Sequence, residues 1–191
     1  MNNREYFNNI AYKWDEMAVH NEAKLRLIIQ LSEISQNASI LDVGTGTGVL
    51  IRHLLEKSPD KIVAVDIADK MIEIAQSKYN DQRVDFRAAD IFEIDEESSF
   101  DRIFLYSVYP HFEDKAAIFS HLKKLLKSGG RIIIAHSESK EKINEIHSKN
   151  SSVKEHVLPS GEVTASIMAD YFEVDMVIDN EEMYFIAGIK R

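Results

Sequence analysis

The residues of this sequence best suited to bind a ligand are a glycine-rich loop and three aspartates. The loop Gly44-Thr45-Gly46-Thr47-Gly48 follows the apolar run Ser39–Val43, and glycine lets a backbone turn tightly and approach a ligand closely. Asp42 precedes the loop, Asp66 ends the next apolar run and Asp90 follows a third. An acid about 20 residues after such a loop accepts hydrogen bonds from ribose hydroxyls. Each aspartate alone would equally suit a helix cap or a turn, but three at successive strand ends indicate a nucleoside-binding site.

The spacing of the glycines separates two classes of cofactor. The dinucleotide fingerprint G-x-G-x-x-G needs glycine at position 49, where this chain has Val49. The pattern here is G-x-G-x-G, and Asp42 suits a cofactor with a positive amino group better than a pyrophosphate. These features favour S-adenosylmethionine over NAD, with Asp66 at the ribose and Asp90 near the adenine amino group. Three apolar side chains could sandwich the adenine ring, or could simply belong to the core: Ile67, Met71 and Ile91.

Residues that follow the fourth and fifth predicted strands should face the reacting atoms, because ligands of open α/β sheets bind outside the carboxyl ends of the strands. His136 is the preferred general base and His111 the second, since an imidazole of near-neutral pKa can take a proton from an O, N or S nucleophile. Tyr109 is a further catalytic candidate. Positioning of the reactants alone could also suffice, without a base. There are two alternatives to a general base. The histidines could be purely structural, or a metal could be bound by His111, His136 and His147.

An alternation of apolar runs and amphipathic stretches must position these residues. Apolar runs of this length are typical of strands covered on both faces in a parallel sheet. The predicted strands are Ser39–Val43, Lys61–Asp66, Arg83–Arg87, Phe100–Tyr106 and Arg131–Ala135. Polar and apolar residues alternate in Arg83–Arg87, which places that strand nearer an edge. Residues 118–127 form a helical stripe that Gly129-Gly130 should stop. The whole pattern predicts right-handed βαβ units and a doubly wound sheet.

The two ends of the chain depart from this alternation. About the first 36 residues look helical, and residues 172–178 and 183–189 look like two strands of a C-terminal antiparallel hairpin. A helix over residues 139–148, with the loop through Pro159, should form a cap over the substrate. We therefore predict one domain in three parts: a helical lid (1–36), a cofactor-binding core (38–136), and a substrate cap with hairpin (137–191).

Composition excludes several functions. The 191 residues contain no cysteine, which rules out disulfides, thiolate metal sites and a cysteine nucleophile. A formal net charge of −9 argues against nucleic acid or an anionic membrane as partner. Neither a signal-peptide pattern nor an apolar run long enough to span a membrane is present, so a cytoplasmic protein is expected.

The motifs and their order resemble those of the class I S-adenosylmethionine-dependent methyltransferases. The matching segments are Leu41–Gly48, Ala64–Ile67 with Met71, Ala89–Ile91, Phe100–Tyr106 and Leu125–Arg131. This resemblance covers roughly residues 38–136. It implies a Rossmann-like seven-stranded sheet that is mostly parallel, with a reversed last strand and an N-terminal helical lid.

The resemblance also implies roles for individual residues. The glycine loop and Asp42 would hold the methionine moiety of the cofactor. The full predicted cofactor set is Asp42, Gly44, Thr45, Gly46, Gly48, Asp66, Ile67, Met71, Asp90, Ile91 and Tyr106. The predicted substrate contacts are Tyr12, Trp14, Ser137 and His147. The two lid aromatics could instead only pack the lid onto the sheet.

Departures from related motifs narrow the activity. Residues 107–111 read Ser-Val-Tyr-Pro-His, without the Asn-Pro-Pro-Tyr of enzymes that methylate nucleic-acid amino groups. The Asp followed by Asp-Asn of magnesium-dependent catechol enzymes is also missing. The expectation is metal-free methylation of a small molecule, with S-adenosylhomocysteine as product, by a monomer or homodimer. The rivals are aminopropyl transfer, a regulatory module without turnover, an NAD-dependent oxidoreductase, or an interaction protein with a decayed site.

Overall fold

One mixed sheet of seven strands organises the molecule. The computed structural model describes residues 2–191, and within them the strand order is β3-β2-β1-β4-β5-β7-β6. The strands are β1 (Ser39–Val43), β2 (Lys61–Asp66), β3 (Val84–Ala88), β4 (Phe100–Tyr106), β5 (Leu126–His136), β6 (Glu173–Asp179) and β7 (Tyr184–Ile189). Strand β7 runs antiparallel to both neighbours, β5 and β6, so the other six point the same way. The predicted Rossmann-like sheet with a reversed last strand is confirmed.

Parallel pairing brings the predicted ligand-binding residues to one edge. Strand β1 lies between β2 and β4, and Val43 is in register with both Val65 and Leu105. The carboxyl ends of these three strands therefore coincide, and the chain order changes direction at β1. In open α/β sheets such a switch point leaves a crevice where ligands bind.

Helices cover both faces of the sheet. They are α1 (Asn3–Ile10), α2 (Trp14–Met17), α3 (Glu22–Leu31), α4 (Ile51–Leu55), α5 (Asp69–Lys78), α6 (Lys115–Leu125), α7 (Lys140–Ser148) and α8 (Gly161–Ala169). Side chains alternate along β4, so Phe104 packs with α3 and α4 while Leu105 packs with α6 and α8. Two buried clusters thus lie on opposite faces, which is the doubly wound arrangement that the sequence predicts.

The boundary between α6 and β5 differs from the prediction. The helix begins at the N-cap Asp114 and ends at Leu125, and β5 starts at Leu126, before Gly129-Gly130 rather than after it. The prediction that these glycines stop the helix was wrong. They lie in the irregular first part of β5, where its pairing with β4 shifts register between Phe100 and Arg102. Their backbones are hydrogen-bonded to Lys190, since Gly129 N donates to Lys190 O and Gly130 O accepts from Lys190 N.

The N-terminal segment is helical and folds back onto the sheet edge. Arg4 and Asn8 of α1 both donate to the carboxylate of Asp69, the first residue of α5. Phe7 and Trp14 pack with a small buried cluster that includes Met71. Among residues 2–191, no helix has both the length and the apolar character needed to cross a membrane.

Candidate functional site

A cleft of about 240 Å³ opens at the carboxyl ends of β1, β2, β3 and β4. It lies between this edge of the sheet and the N-terminal helices. The lining residues come from the lid, the glycine loop and the loops after β2, β3 and β4. They are Asn3, Phe7, Trp14, Val43, Gly44, Gly46, Val65, Asp66, Ile67, Met71, Ala89, Asp90, Ile91, Phe92, Ser107, Val108, His111, Phe112 and Glu113.

Two glycines shape the floor of the cleft. Gly44 and Gly46 have φ angles of +68° and +57°, a region that side chains with a Cβ rarely adopt. A Cβ on Gly44 would lie 2.7 Å from the Cβ of Val108, so the loop after β4 closes directly over it. At Gly46 the nearest atom to such a Cβ is Nε1 of Trp14, at 3.8 Å. The backbone at Gly46 therefore remains accessible from the cleft.

Asp42 lies beneath the loop and outside the cleft lining. Its side chain is buried and accepts a hydrogen bond of 2.7 Å from Oγ1 of Thr45, which is also buried. Burial raises the pKa of Asp42 to about 7, against the effect of the Thr45 hydrogen bond, and Asp66 adds to the rise. In this arrangement Asp42 and Thr45 support the loop. Their direct contact with a cofactor stays a prediction, as does that of Gly48, which packs against Tyr79.

Asp66 presents a carboxylate at the wall of the cleft. Its two oxygens accept hydrogen bonds from Gly46 N at 2.9 Å and Ala68 N at 2.8 Å. Burial raises the pKa of Asp66 to about 6, and both backbone bonds oppose that rise. Each oxygen keeps acceptor capacity after these bonds. Asp66 is thus a fixed acceptor at the end of β2, as its spacing from the loop predicts.

Beyond Asp66 the cleft has an apolar end with one further carboxylate. Ile67 is 36% exposed and Phe92 is 48% exposed, although both are large apolar residues. Ile91 and Met71 are buried beside them. Asp90 caps the short 3₁₀ helix that follows by accepting from Phe92 N at 3.0 Å. This part of the cleft offers two apolar walls and an acceptor, which suits a planar aromatic ring with an amino group.

The lid is tied to the glycine loop by polar contacts. Thr47 Oγ1 donates to Asp15, and Lys78 pairs with the same carboxylate. Trp14 lies over Gly46 and lines the cleft, whereas Tyr12 is 77% exposed and does not, and contact of Trp14 with a substrate stays a prediction. The two lid aromatics predicted as substrate contacts therefore occupy different environments.

His111 is the one predicted catalytic residue that lines the cleft. It follows β4 in a 3₁₀ helix, and its ring packs edge-on against Phe7 of the lid. Its Nδ1 lies 2.8 Å from Nδ1 of His156, and the ring of His147 is 5.2 Å away. Burial lowers the pKa of His111 well below its ordinary value, and the neighbouring imidazoles reinforce this effect. His111 is consequently neutral at physiological pH.

The structure places several other predicted residues behind the cleft. His136 is buried at the end of β5, neither ring nitrogen has a hydrogen-bond partner within residues 2–191, and burial lowers its pKa to about 3. Tyr109 is fully buried and stacks on Phe119 of α6. Tyr106 is also buried and donates to Ser137 Oγ at 2.8 Å, while His20 Nδ1 lies 2.8 Å from the same hydroxyl.

Sequence reasoning missed part of the lining. Asn3, Phe7, Ser107, Phe112 and Glu113 line the cleft without having been predicted there. Ser107 has a φ of +55°, a conformation that only the fold reveals. The lid residues carry no local signal of their target, because their contacts depend on how α1 docks on α5. Within residues 2–191, no group of three or more His, Asp or Glu side chains is arranged to hold a metal ion.

Comparisons with known proteins agree with this geometry. The family described as a methyltransferase domain matches residues 34–186. The malonyl-[acyl-carrier protein] O-methyltransferase of Priestia megaterium is 33% identical over 156 residues, which are 80% of this chain and 57% of that protein. The enzyme of the same name from Acetivibrio thermocellus is 31% identical over 128 residues, 65% of this chain and 45% of that protein. This chain thus spans about half the length of these two relatives.

Solved structures show the same fold at low sequence identity. The N-methyltransferase NodS from Bradyrhizobium japonicum, solved with S-adenosylhomocysteine, has a TM-score of 0.78 and 14% identity over 100% of this chain and 99% of that one. A SAM-dependent methyltransferase from Aquifex aeolicus has a TM-score of 0.75 and 18% identity, covering 95% and 98%.

The family match, the fold and the cleft together define the class of protein. This chain belongs to the methyltransferase-domain family, and its fold is that of the class I S-adenosylmethionine-dependent methyltransferases. The predicted family is confirmed, and S-adenosylmethionine is the cofactor of that class.

Proposed function

We propose that this chain binds S-adenosylmethionine in the cleft and methylates a small-molecule acceptor. The observation that carries the proposal is the Asp66 carboxylate, which Gly46 N and Ala68 N hold at the cleft wall. A ribose needs an acceptor at this place, between the glycine loop and the apolar end of the cleft. A dinucleotide would also place a ribose at such an acid, so the preference over NAD depends on Val49, which stands where the dinucleotide fingerprint needs glycine.

The remaining lining fits the rest of the cofactor. Ile67 and Phe92 expose apolar surface that an adenine ring would cover, and Asp90 could accept from its amino group. The open face of Gly46 leaves room for the methionine portion under Trp14. When bound, S-adenosylmethionine supplies a methyl group that its sulfonium has already activated. The chain then has to bind, orient, exclude water and remove one proton from the acceptor.

His111 is the residue best placed to take that proton. It lines the cleft, is neutral, and uses Nδ1 for His156, so Nε2 is the nitrogen available to an acceptor. His136 and Tyr109 were also predicted to be catalytic. Both are buried behind the cleft, so the proposal does not depend on them.

The charge of the cleft bears on the acceptor. Its described lining includes the carboxylates Asp66, Asp90 and Glu113 but no lysine or arginine. Anionic groups such as carboxylates and phosphates are normally held by arginine or lysine. The lining therefore favours a neutral or cationic acceptor. An acceptor carrying a free carboxylate, such as the malonyl group in the relatives' names, would find no lysine or arginine among the described residues that line this cleft.

Calorimetric titration tests the cofactor assignment. S-adenosylmethionine and S-adenosylhomocysteine should bind with dissociation constants on the order of micromolar. Titration with NAD should give no heat of binding. Asp66→Asn should weaken S-adenosylhomocysteine by about 1.5 to 3 kcal/mol, or roughly 10- to 150-fold, because it removes charge-assisted hydrogen bonds. Asp60→Asn is the matched control, since Asp60 is exposed and does not line the cleft. Equal affinity in the two folded variants would remove Asp66 from the site.

A further inference from the structure

Two histidine rings, one from the cleft lining and one from the segment after α7, contact each other through their Nδ1 atoms. Nδ1 of His111 lies 2.8 Å from Nδ1 of His156. A hydrogen bond between two imidazole nitrogens needs a proton on one of them and a lone pair on the other. The tautomers of the two rings are therefore coupled. When His111 carries its proton on Nδ1, its Nε2 is a bare lone pair, and Nδ1 of His156 is the acceptor.

Helix α7 holds His156 in this position. His147 Nδ1 bonds to the backbone oxygen of His156, and because a carbonyl can only accept, His147 must be the donor. Asn144 clamps the same segment from one turn earlier. Its Nδ2 donates to Leu158 O at 3.0 Å and its Oδ1 accepts from Leu158 N at 2.8 Å. Three hydrogen bonds from one helix thus fix the segment that presents the second imidazole.

The two rings differ in how deeply they lie. His111 is held between the lid, where Phe7 packs on it, and the rings of His147 and His156. His156 is nearer the surface, and burial lowers its pKa less decisively because Glu113 and Glu155 act in the opposite direction. Lys115 and His147 lower the pKa of both rings, and His136 also lowers that of His111. A proton on this pair is therefore better accommodated at His156.

We propose that His111 and His156 form a proton relay that carries the acceptor's proton from the cleft to solvent. This proposal rests on the proposed function, methyl transfer in the cleft. His156 does not contact the acceptor and acts through His111, so it is a positioning residue. As the acceptor's nucleophilic atom bonds to the methyl carbon, its X–H proton passes to Nε2 of His111. The Nδ1 proton of His111 moves to Nδ1 of His156, and the Nε2 proton of His156 leaves to water. Both rings end neutral, one proton is released, and a single tautomer exchange in each ring resets the pair.

NMR of the ring nitrogens can test the relay directly, and this test does not require that the methyl acceptor be identified. Two-bond ¹H–¹⁵N correlation spectra of the full chain, labelled in histidine, distinguish Nδ1–H, Nε2–H and doubly protonated rings. At neutral pH we expect the Nδ1–H tautomer for His111 and a bare Nδ1 for His156. His156→Phe should convert His111 toward the Nε2–H tautomer. His156→Gln should partly restore the original state, because its amide oxygen can still accept a hydrogen bond from Nδ1–H of His111. Ser151→Ala, an exposed change in the same segment that keeps both rings and the charges around them, should leave the tautomers unaltered.

The relay is overturned if His111 shows the same tautomer in the unmutated protein and in folded His156→Phe. Independent titration of the two rings near the ordinary histidine pKa would overturn it as well. Calorimetry with S-adenosylhomocysteine on the unmutated protein distinguishes failure of the proposed function from failure of the relay. If the ligand does not bind, the proposed function is refuted. If it binds and the two rings titrate independently, only the relay is refuted.

Discussion

Gly44→Ala is expected to destabilise the protein by about 2 to 5 kcal/mol through two separable effects. An L-residue at the φ of +68° found here costs about 1 to 2 kcal/mol. The new Cβ would also lie 2.7 Å from the Cβ of Val108, closer than real carbon contacts allow. Overpacking of this kind typically costs about 1 to 3 kcal/mol. Urea unfolding followed by circular dichroism measures the total as a change in midpoint at constant slope.

Gly129→Ala isolates the backbone term. Gly129 has a similar φ of +73°, but a Cβ there would meet nothing within 4 Å. Its replacement should therefore cost only about 1 to 2 kcal/mol. In a Val108→Gly background, which removes the Cβ of residue 108 itself, Gly44→Ala should fall to the same cost, which gives a coupling energy of about 1 to 3 kcal/mol. If Gly44→Ala is no worse than Gly129→Ala, or if Val108→Gly gives no relief, the close approach of the two loops is not a constraint on this site.

Two further predictions concern buried polar groups. Burial raises the folded-state pKa of Asp42 from 3.8 to about 7, so between these values the folded state binds more protons than the unfolded state. Stability should therefore fall as pH rises across that window, by at most about 1.4 kcal/mol per pH unit for this group, and Asp42→Asn should flatten the slope. An unchanged slope would mean that Asp42 ionises normally. Tyr109→Phe removes a buried hydroxyl that makes no hydrogen bond of ordinary geometry within residues 2–191 and interacts only weakly with Thr164, so stability should stay within about 1 kcal/mol or rise. A larger loss in urea unfolding would show that the hydroxyl is satisfied.

Much of the sheet could be predicted because its strands carry continuous apolar runs. Strands β1, β2 and β4 begin and end where the sequence predicts them, and the alternating Arg83–Arg87 run corresponds to the edge strand β3. The carboxyl-end rule also predicts that Asp66 and Asp90 lie at the cleft, and both line it, while their contacts with a cofactor stay a prediction. The strands could be predicted because each depends on a local pattern together with one general rule of topology.

What could not be predicted depends on packing between distant segments. His111 and His156 are 45 residues apart, and nothing in their surroundings marks them as partners. Helix α8 (Gly161–Ala169) was not predicted, since its apolar and small residues lack a clear polar face. His136 satisfies the strand-end rule as well as His111 does, yet its side chain is buried beside Tyr184. A side chain's direction at a strand end is set by tertiary packing, which spacing does not encode.

The position of β7 has a consequence for how the chain is made. During synthesis β6 emerges before β7, yet β7 separates β6 from β5 in the finished sheet. Until residues 184–189 have been translated, β5 presents an open edge and β6 has no partner to join. Unpaired edges of this kind favour pairing with other chains. A nascent chain paused between β6 and β7 would thus be the form of this protein most exposed to aggregation, and the one for which chaperone protection matters most.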